Sequence, residues 1–135
     1  MDLNIVPLYA ALLGIGLILL SLRVISLRRQ FKVALGGGDE PRLERAIRAH
    51  GNYSEYVPIS IILIAFVEFA GNPAWIIHML CGLLLVSRVI HAFGVSQTAE
   101  NFSFRVFGMA TTFAVLAICS TILLTGGSLL TRFIG

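Results

Sequence analysis

The segment Arg48-Ala-His-Gly-Asn52-Tyr-Ser-Glu55-Tyr56 brings a guanidinium, a carboxamide, a carboxylate and a phenol together in one short run. Spacings of four, three and one residues put Arg48, Asn52, Glu55 and Tyr56 along one face of an α-helix, stacked over about two turns. A guanidinium fork grips carboxylates bidentately and a carboxylate takes an ammonium group, so this face suits a small zwitterionic or peptidic molecule. Other charged groups stand where apolar stretches end: Arg28 and Arg29 close the first, Arg88 and His91 close the third, Arg105 opens the fourth. Arginines converging from four helices at one depth repel unless an anion or lipid headgroups neutralise them. The pattern therefore implies an anionic guest. Two plainer readings stand beside it: a structural ion pair between Arg48 and Glu55, and occupation of the cluster by anionic phospholipid headgroups.

The elements that must position these groups are membrane helices. Hydrophobic residues make up 57% of the 135 residues and charged residues only 13%, with a mean hydropathy of +0.90, which excludes an ordinary soluble domain. Apolar stretches run from Pro7 to Leu27, Tyr56 to Ala70, Ala74 to Phe93 and Val106 to Leu124. A span needs roughly 20 residues, and the second stretch reaches that by extending N-terminally past Gly51. The expected fold is all-α: a single-domain, membrane-embedded antiparallel four-helix bundle with spans near residues 7–27, 52–70, 74–93 and 106–124. Met1 to Val6 has no Lys or Arg, so the first stretch is read as a retained span rather than a signal peptide. Cys81 and Cys119 fall inside spans and are expected to be packing residues.

Seven of the ten basic residues (Arg23, Arg28, Arg29, Lys32, Arg42, Arg45, Arg48) lie at or between the facing ends of the first two spans, and Arg88 and Arg105 flank the third connection. The positive-inside rule makes that side cytoplasmic and puts both termini outside, with only Arg132 on the C-terminal tail. Trp75 then belongs to the outer aromatic belt, and Glu68 to the solvated outer interface. The first helix is expected to continue through Val33 to Gly36-Gly37-Gly38. Asp39 and Pro41 start a second helix of about 30 residues, kinked at Pro58. Gly94 should close the third helix, Asn101 or Ser103 cap the fourth, and Gly126-Gly127 close it. Ala10 with Gly14, and Gly108 with Thr112, offer small-residue contacts between helices.

Three further stretches bear on identity: Val24-Ile25-Ser26-Leu27-Arg28-Arg29-Gln30-Phe31-Lys32-Val33, the Arg48-x-x-x-Asn52-x-x-Glu55-Tyr56 element, and Cys81-Gly82-Leu83 through Arg88. Together they resemble the MAPEG superfamily, the membrane-associated proteins of eicosanoid and glutathione metabolism that include microsomal glutathione transferases. His50-Gly51-Asn52 followed by Glu55-Tyr56-Val57-Pro58 is most similar to its bacterial branch. The resemblance implies a left-handed bundle assembling as a homotrimer in a bacterial inner membrane, with glutathione as cosubstrate at subunit interfaces near the cytoplasmic face. By carry-over Arg48, Asn52, Glu55 and Tyr56 grip the glutathione backbone and Arg28 adds charge. Arg105 matches the arginine facing the sulfur, and Arg29 is the other catalytic candidate. Where related enzymes carry tyrosines late in the third helix this chain has His91 and Val95, so His91 is the glutathione-binding candidate there.

A thiol with a pKa of about 8.5 is mostly protonated at neutral pH, and a nearby guanidinium favours the thiolate. The leading expectation is therefore a glutathione transferase that conjugates the thiolate to an apolar electrophile drawn from the bilayer, or a peroxidase acting on lipid hydroperoxides. The alternative, from another class, is a non-catalytic membrane protein whose arginines bind anionic lipid or a partner. A four-span multidrug exporter is disfavoured, since such proteins resemble one another in having an acid within the first span and none lies between Ile5 and Leu22. No nucleic-acid partner and no metal is expected: His78 has no Cys, His or acidic cluster near it, and a haem between His50 and His91 would want ligands deeper in the core.

Overall fold

The computed structural model describes residues 3–97, 99 and 102–126. Four helices follow in series: α1 (Val6–Phe31), α2 (Pro41–Phe69), α3 (Ala74–Ser96) and α4 (Phe102–Leu124). Tertiary hydrogen bonds fix their directions. Glu68 near the end of α2 holds the start of α1, whereas His50 near the start of α2 meets Ser21 late in α1, so the pair is antiparallel. In the same way Ser87 of α3 meets Thr112 of α4 while Gly94 lies against Phe104. The result is a four-helix bundle with α2 and α3 at its centre. α1 packs on α2 and α3, α4 packs on α3 and α2, and α1 and α4 do not pack against each other.

The bundle is apolar outside as well as inside. Leu13, Ile64, Ile77, Leu80, Leu84 and Val115 fill the core, yet Leu19, Phe66, Val89 and Phe107 stand exposed on the four helices in turn. Such a surface is stable only against lipid or another protein. α1, α3 and α4 are each long and apolar enough to cross a membrane. α2 carries more polar residues, but its stretch from His50 to Glu68 runs alongside α1 from Ser21 back to Val6, so it covers the same depth. Trp75 is 66% exposed at the start of α3, as an interfacial anchor should be. Cys81 and Cys119 are buried free thiols.

Helix ends differ from expectation in instructive ways. α1 stops at Phe31, short of Val33, because Lys32 takes a left-handed conformation (φ 56°) and the Val33 N–H turns back to the Arg28 carbonyl. Arg28 Nη1 then donates to the carbonyls of Ala34 (3.2 Å) and Gly36 (3.0 Å), folding the loop onto the helix end. α2 starts at Pro41 as expected and continues unbroken past Pro58. α3 runs through Gly94 to Ser96. That glycine serves close packing instead: a Cβ there would lie 2.9 Å from Phe104 Cβ. Arg23 Nη2 caps the end of α3 through the Ser96 carbonyl at 3.3 Å. Ser103 lies within the first turn of α4, so it is not the cap, and Asn101 falls outside the described residues. α4 ends at Leu124, followed by Gly126 at φ +108°; Gly127 and Arg132 also lie outside the described residues.

Glu68 does more than sit solvated at an interface. Its carboxylate accepts the backbone N–H groups of Asn4, Ile5 and Val6 at 2.8–3.0 Å, supplying to α1 the cap that Ile5 cannot. Beside it Tyr9 Oη hydrogen-bonds His78 Nδ1 at 3.1 Å. Of the two small-residue pairs, Gly108 and Thr112 are buried at the α3–α4 seam, whereas Gly14 is exposed with nothing near it.

Two substitutions test these contacts. Glu68→Gln removes the charge and leaves a single amide oxygen to accept, so the detergent-solubilised protein should lose about 1–2 kcal/mol of stability, with faster hydrogen exchange at residues 4–6. In Gly108→Ala the new Cβ would meet His91 Cβ at 2.6 Å and the Ser87 carbonyl at 2.8 Å. That overpacking should cost roughly 1–3 kcal/mol, read as a lower unfolding temperature.

Candidate binding cleft

A cleft of about 860 Å³ opens between α2, α3 and α4 at the end of the bundle that carries the α1–α2 loop. That volume is in the range that holds a small ligand. Its α2 wall is a stripe of helical period, Pro41, Glu44, Arg45, Arg48, Asn52 and Glu55, faced by His91 and Val95 of α3 and by Arg105 and Met109 of α4. Three arginines and two glutamates thus share the walls. Arg48 and Glu55 are both exposed to the cleft, and no ion pair joins them.

Behind the cleft sits the most demanding side chain of the bundle. Arg88 projects from the apolar α3 and is 1% exposed. Its Nη1 donates to Asn52 Oδ1 at 2.8 Å, and its Nη2 to the Gly108 carbonyl at 3.1 Å and to Met109 Sδ at 3.5 Å; Nε is buried without a partner. Thr112 Oγ1 donates to the same Gly108 carbonyl at 2.8 Å. One guanidinium thereby ties three helices together with no carboxylate among its partners. Leaving a buried donor unpaired is costly, so this corner is held in place by the packing around it.

Sequence spacing placed Arg48, Asn52 and Glu55 on one face, and the structure brings them to one cleft with Arg105 and His91. Tyr56 turns away from it. Its ring packs edge-on against Phe113 of α4, with centroids 5.6 Å apart. Within one chain the cleft's arginines come from two helices, α2 and α4, with His91 added from α3, rather than from four. Arg28 is engaged with the loop carbonyls and Arg29 is exposed at the end of α1, which lies across α2 and α3 from α4. Arg88, expected among the cleft cations, is turned inward instead.

The histidines also separate. His50 Nε2 lies 3.0 Å from Ser21 Oγ in the α1–α2 seam, while His91 packs against Gly108 in the α3–α4 seam. Ser21 Oγ also donates to the Leu17 carbonyl at 2.8 Å. Its one proton being used there, His50 is the donor between them, and the pair is a helix-to-helix tie rather than an activated hydroxyl.

Several contributors were missed from sequence. Glu44 and Arg45 extend the polar stripe toward the helix start at the same 3–4 residue period, a signal that was legible. The buried hydroxyl of Tyr53 donates to the Leu13 carbonyl at 2.8 Å and locks α2 to α1 on the side away from the cleft. Met109 gave no signal at all.

Comparison with known proteins agrees with this architecture. The chain is 40% identical over 112 residues to the inner membrane protein YecN of Escherichia coli K12, covering 82% of this chain and 83% of that protein. The same figures hold for the inner membrane protein YecN of Escherichia coli O6:H1. The expected localisation, an integral protein of a bacterial inner membrane, accords with these relatives and with the apolar helices. The sequence profile of the MAPEG family matches residues 6–125, from the first residue of α1 to just past the end of α4, and the chain belongs to that family.

Proposed function

We propose that the cleft binds glutathione and that the protein is a glutathione transferase, joining the thiolate to an apolar electrophile from the bilayer or using the thiol to reduce a lipid hydroperoxide. The observation that carries this reading is the presence of Arg48, Asn52, Glu55 and Arg105 around one cleft in a chain of a family that includes glutathione transferases. The chemistry matches the guest. Glutathione has two carboxylates, one ammonium and a thiol; Arg48 suits a carboxylate, Glu55 the ammonium, and Arg105 the sulfur. In conjugation the thiolate forms an S–C bond while the electrophile loses its leaving group or opens its strained ring. A guanidinium near the sulfur raises the thiolate fraction without itself exchanging a proton.

The family's homotrimer forms part of the proposal. Among the described residues α1 and α4 do not pack against each other, each has an apolar exposed edge, and a neighbouring copy's α1 would return Arg28 and Arg29 to the cleft side. A second reading, anionic lipid held without catalysis, is favoured by the exposure of Arg29, Lys32 and Arg42 at the same end.

Two measurements test the proposal. In the purified trimer glutathione should produce thiolate absorbance in the ultraviolet. Arg48→Ala and Glu55→Ala should each weaken binding by about tenfold to a hundredfold, and Arg105→Ala should reduce the thiolate signal more than the affinity. A native protein that forms trimers, gives no glutathione signal and retains anionic lipid would support the second reading instead. Orientation is tested by labelling: Leu35, 87% exposed in the α1–α2 loop, and Trp75 lie at opposite ends of the bundle. Leu35→Cys should react with an impermeant maleimide only once the cytoplasmic face is opened, and Trp75→Cys from outside, while the buried native cysteines stay silent.

A further inference from the structure

We propose that Arg88 is a positioning residue that acts on the ligand through Asn52, making Asn52 a donor-only contact for an anionic oxygen or sulfur in the cleft. The inference rests on the glutathione reading for the identity of the ligand, but its geometry belongs to this chain alone. A carboxamide can present either its oxygen or its N–H₂ group to a neighbour. An arginine has donors and no acceptor, so the 2.8 Å contact from Arg88 Nη1 fixes Oδ1 on the buried side. The reverse orientation would set N–H against N–H. Nδ2 and its two hydrogens are left over on a side chain that lines the cleft.

Arg88 does not reach the ligand itself. It is 1% exposed and absent from the cleft wall, so it influences the guest by what it does to Asn52. Nor is it well explained as packing. Its partners are an amide oxygen, a backbone carbonyl and a thioether, all neutral, and Nε–H has none. An arginine kept for stability alone would be matched by a carboxylate, which offsets the cost of burying its charge. Here the cation is left uncompensated one residue behind the wall of a cleft suited to an anion. Its charge polarises the Asn52 amide toward donation.

The test is a double-mutant cycle on glutathione Kd in the purified full-length protein, using wild type, Arg88→Met, Asn52→Ala and the double variant, with unfolding temperature recorded for each. Each single change should weaken glutathione binding by about tenfold or more, and the double variant no further than the weaker single, because both remove the same contact. Arg88→Met also removes the tie to the Gly108 carbonyl and should lower the unfolding temperature, so Kd is read well below that temperature, where a merely structural arginine would leave the affinity of the folded protein unchanged. Asn52→Asp supplies a second variant: it retains an oxygen for Arg88 but offers the cleft a carboxylate, and should lose glutathione as fully as Asn52→Ala. Additive losses in the double variant, or wild-type affinity in Arg88→Met or Asn52→Asp, would overturn the inference while leaving glutathione binding intact. Should wild-type protein not bind glutathione, the functional reading fails on its own. The same cycle on ligand-free unfolding temperatures then decides the Arg88–Asn52 link, coupled values supporting it and independent ones overturning it.

Discussion

A guanidinium carried by an apolar helix must find acceptors within reach of its own side chain, because lipid offers none. Arg88 finds them on two neighbours, the Asn52 amide of α2 and the Gly108 carbonyl of α4. That requirement sets much of the architecture around it. The Gly108 carbonyl can be reached because position 108 has no side chain and α4 can approach α3 closely at His91 and Ser87. Gly94 repeats the device nearer the α3 end, against Phe104. The two glycines therefore bring α4 close enough to α3 for one cation to hold three helices, and the cleft lies between α2 and that seam.

The polar contacts that remain sort by depth. Toward one end Glu68 caps α1, and Tyr9 meets His78. In the middle Tyr53 ties α2 to α1 with one buried hydrogen bond. Toward the other end Ser21 meets His50, Arg23 caps α3, and Arg28 folds the loop. All but the Arg28 contact join one helix to another, at points where a backbone or hydroxyl group would otherwise be unpaired in a membrane. A bundle whose outer surface is as apolar as its core gains little from burying hydrocarbon, so these few bonds and the close packing between them define its register.

Much of this was legible in the sequence because the membrane restricts the choices. Apolar stretches of span length gave the four helices, and the spacing of Arg48, Asn52 and Glu55 gave one wall of the cleft. What was not legible depended on which neighbour each side chain meets. Arg88 and Arg105 are the same residue type near helix ends, yet one is buried behind Asn52 and the other lines the cleft; periodicity within a single helix does not distinguish them. Glu68 looked like a solvated interfacial charge because its partners are backbone N–H groups of α1, which no pattern of side chains reveals. Tyr56 follows Asn52 by four residues and so shares its side of α2. Its ring packs on Phe113 of α4 instead, a neighbour that no spacing within α2 reveals.

The separation of α1 from α4 bears most directly on chemistry. A cleft bounded by α2, α3 and α4 of one chain has walls of mixed charge and an open side, with Arg28 and Arg29 out of reach around the bundle. If those arginines take part in binding, they must come from another copy, and the site is then complete only in the assembly. Phe104 and Phe107, the phenylalanines on either side of Arg105 in α4, are exposed and offer an apolar surface next to it. On the proposed reading, a water-borne thiol compound and a lipid-borne electrophile would meet at this end of α4, where aromatic residues and a guanidinium alternate.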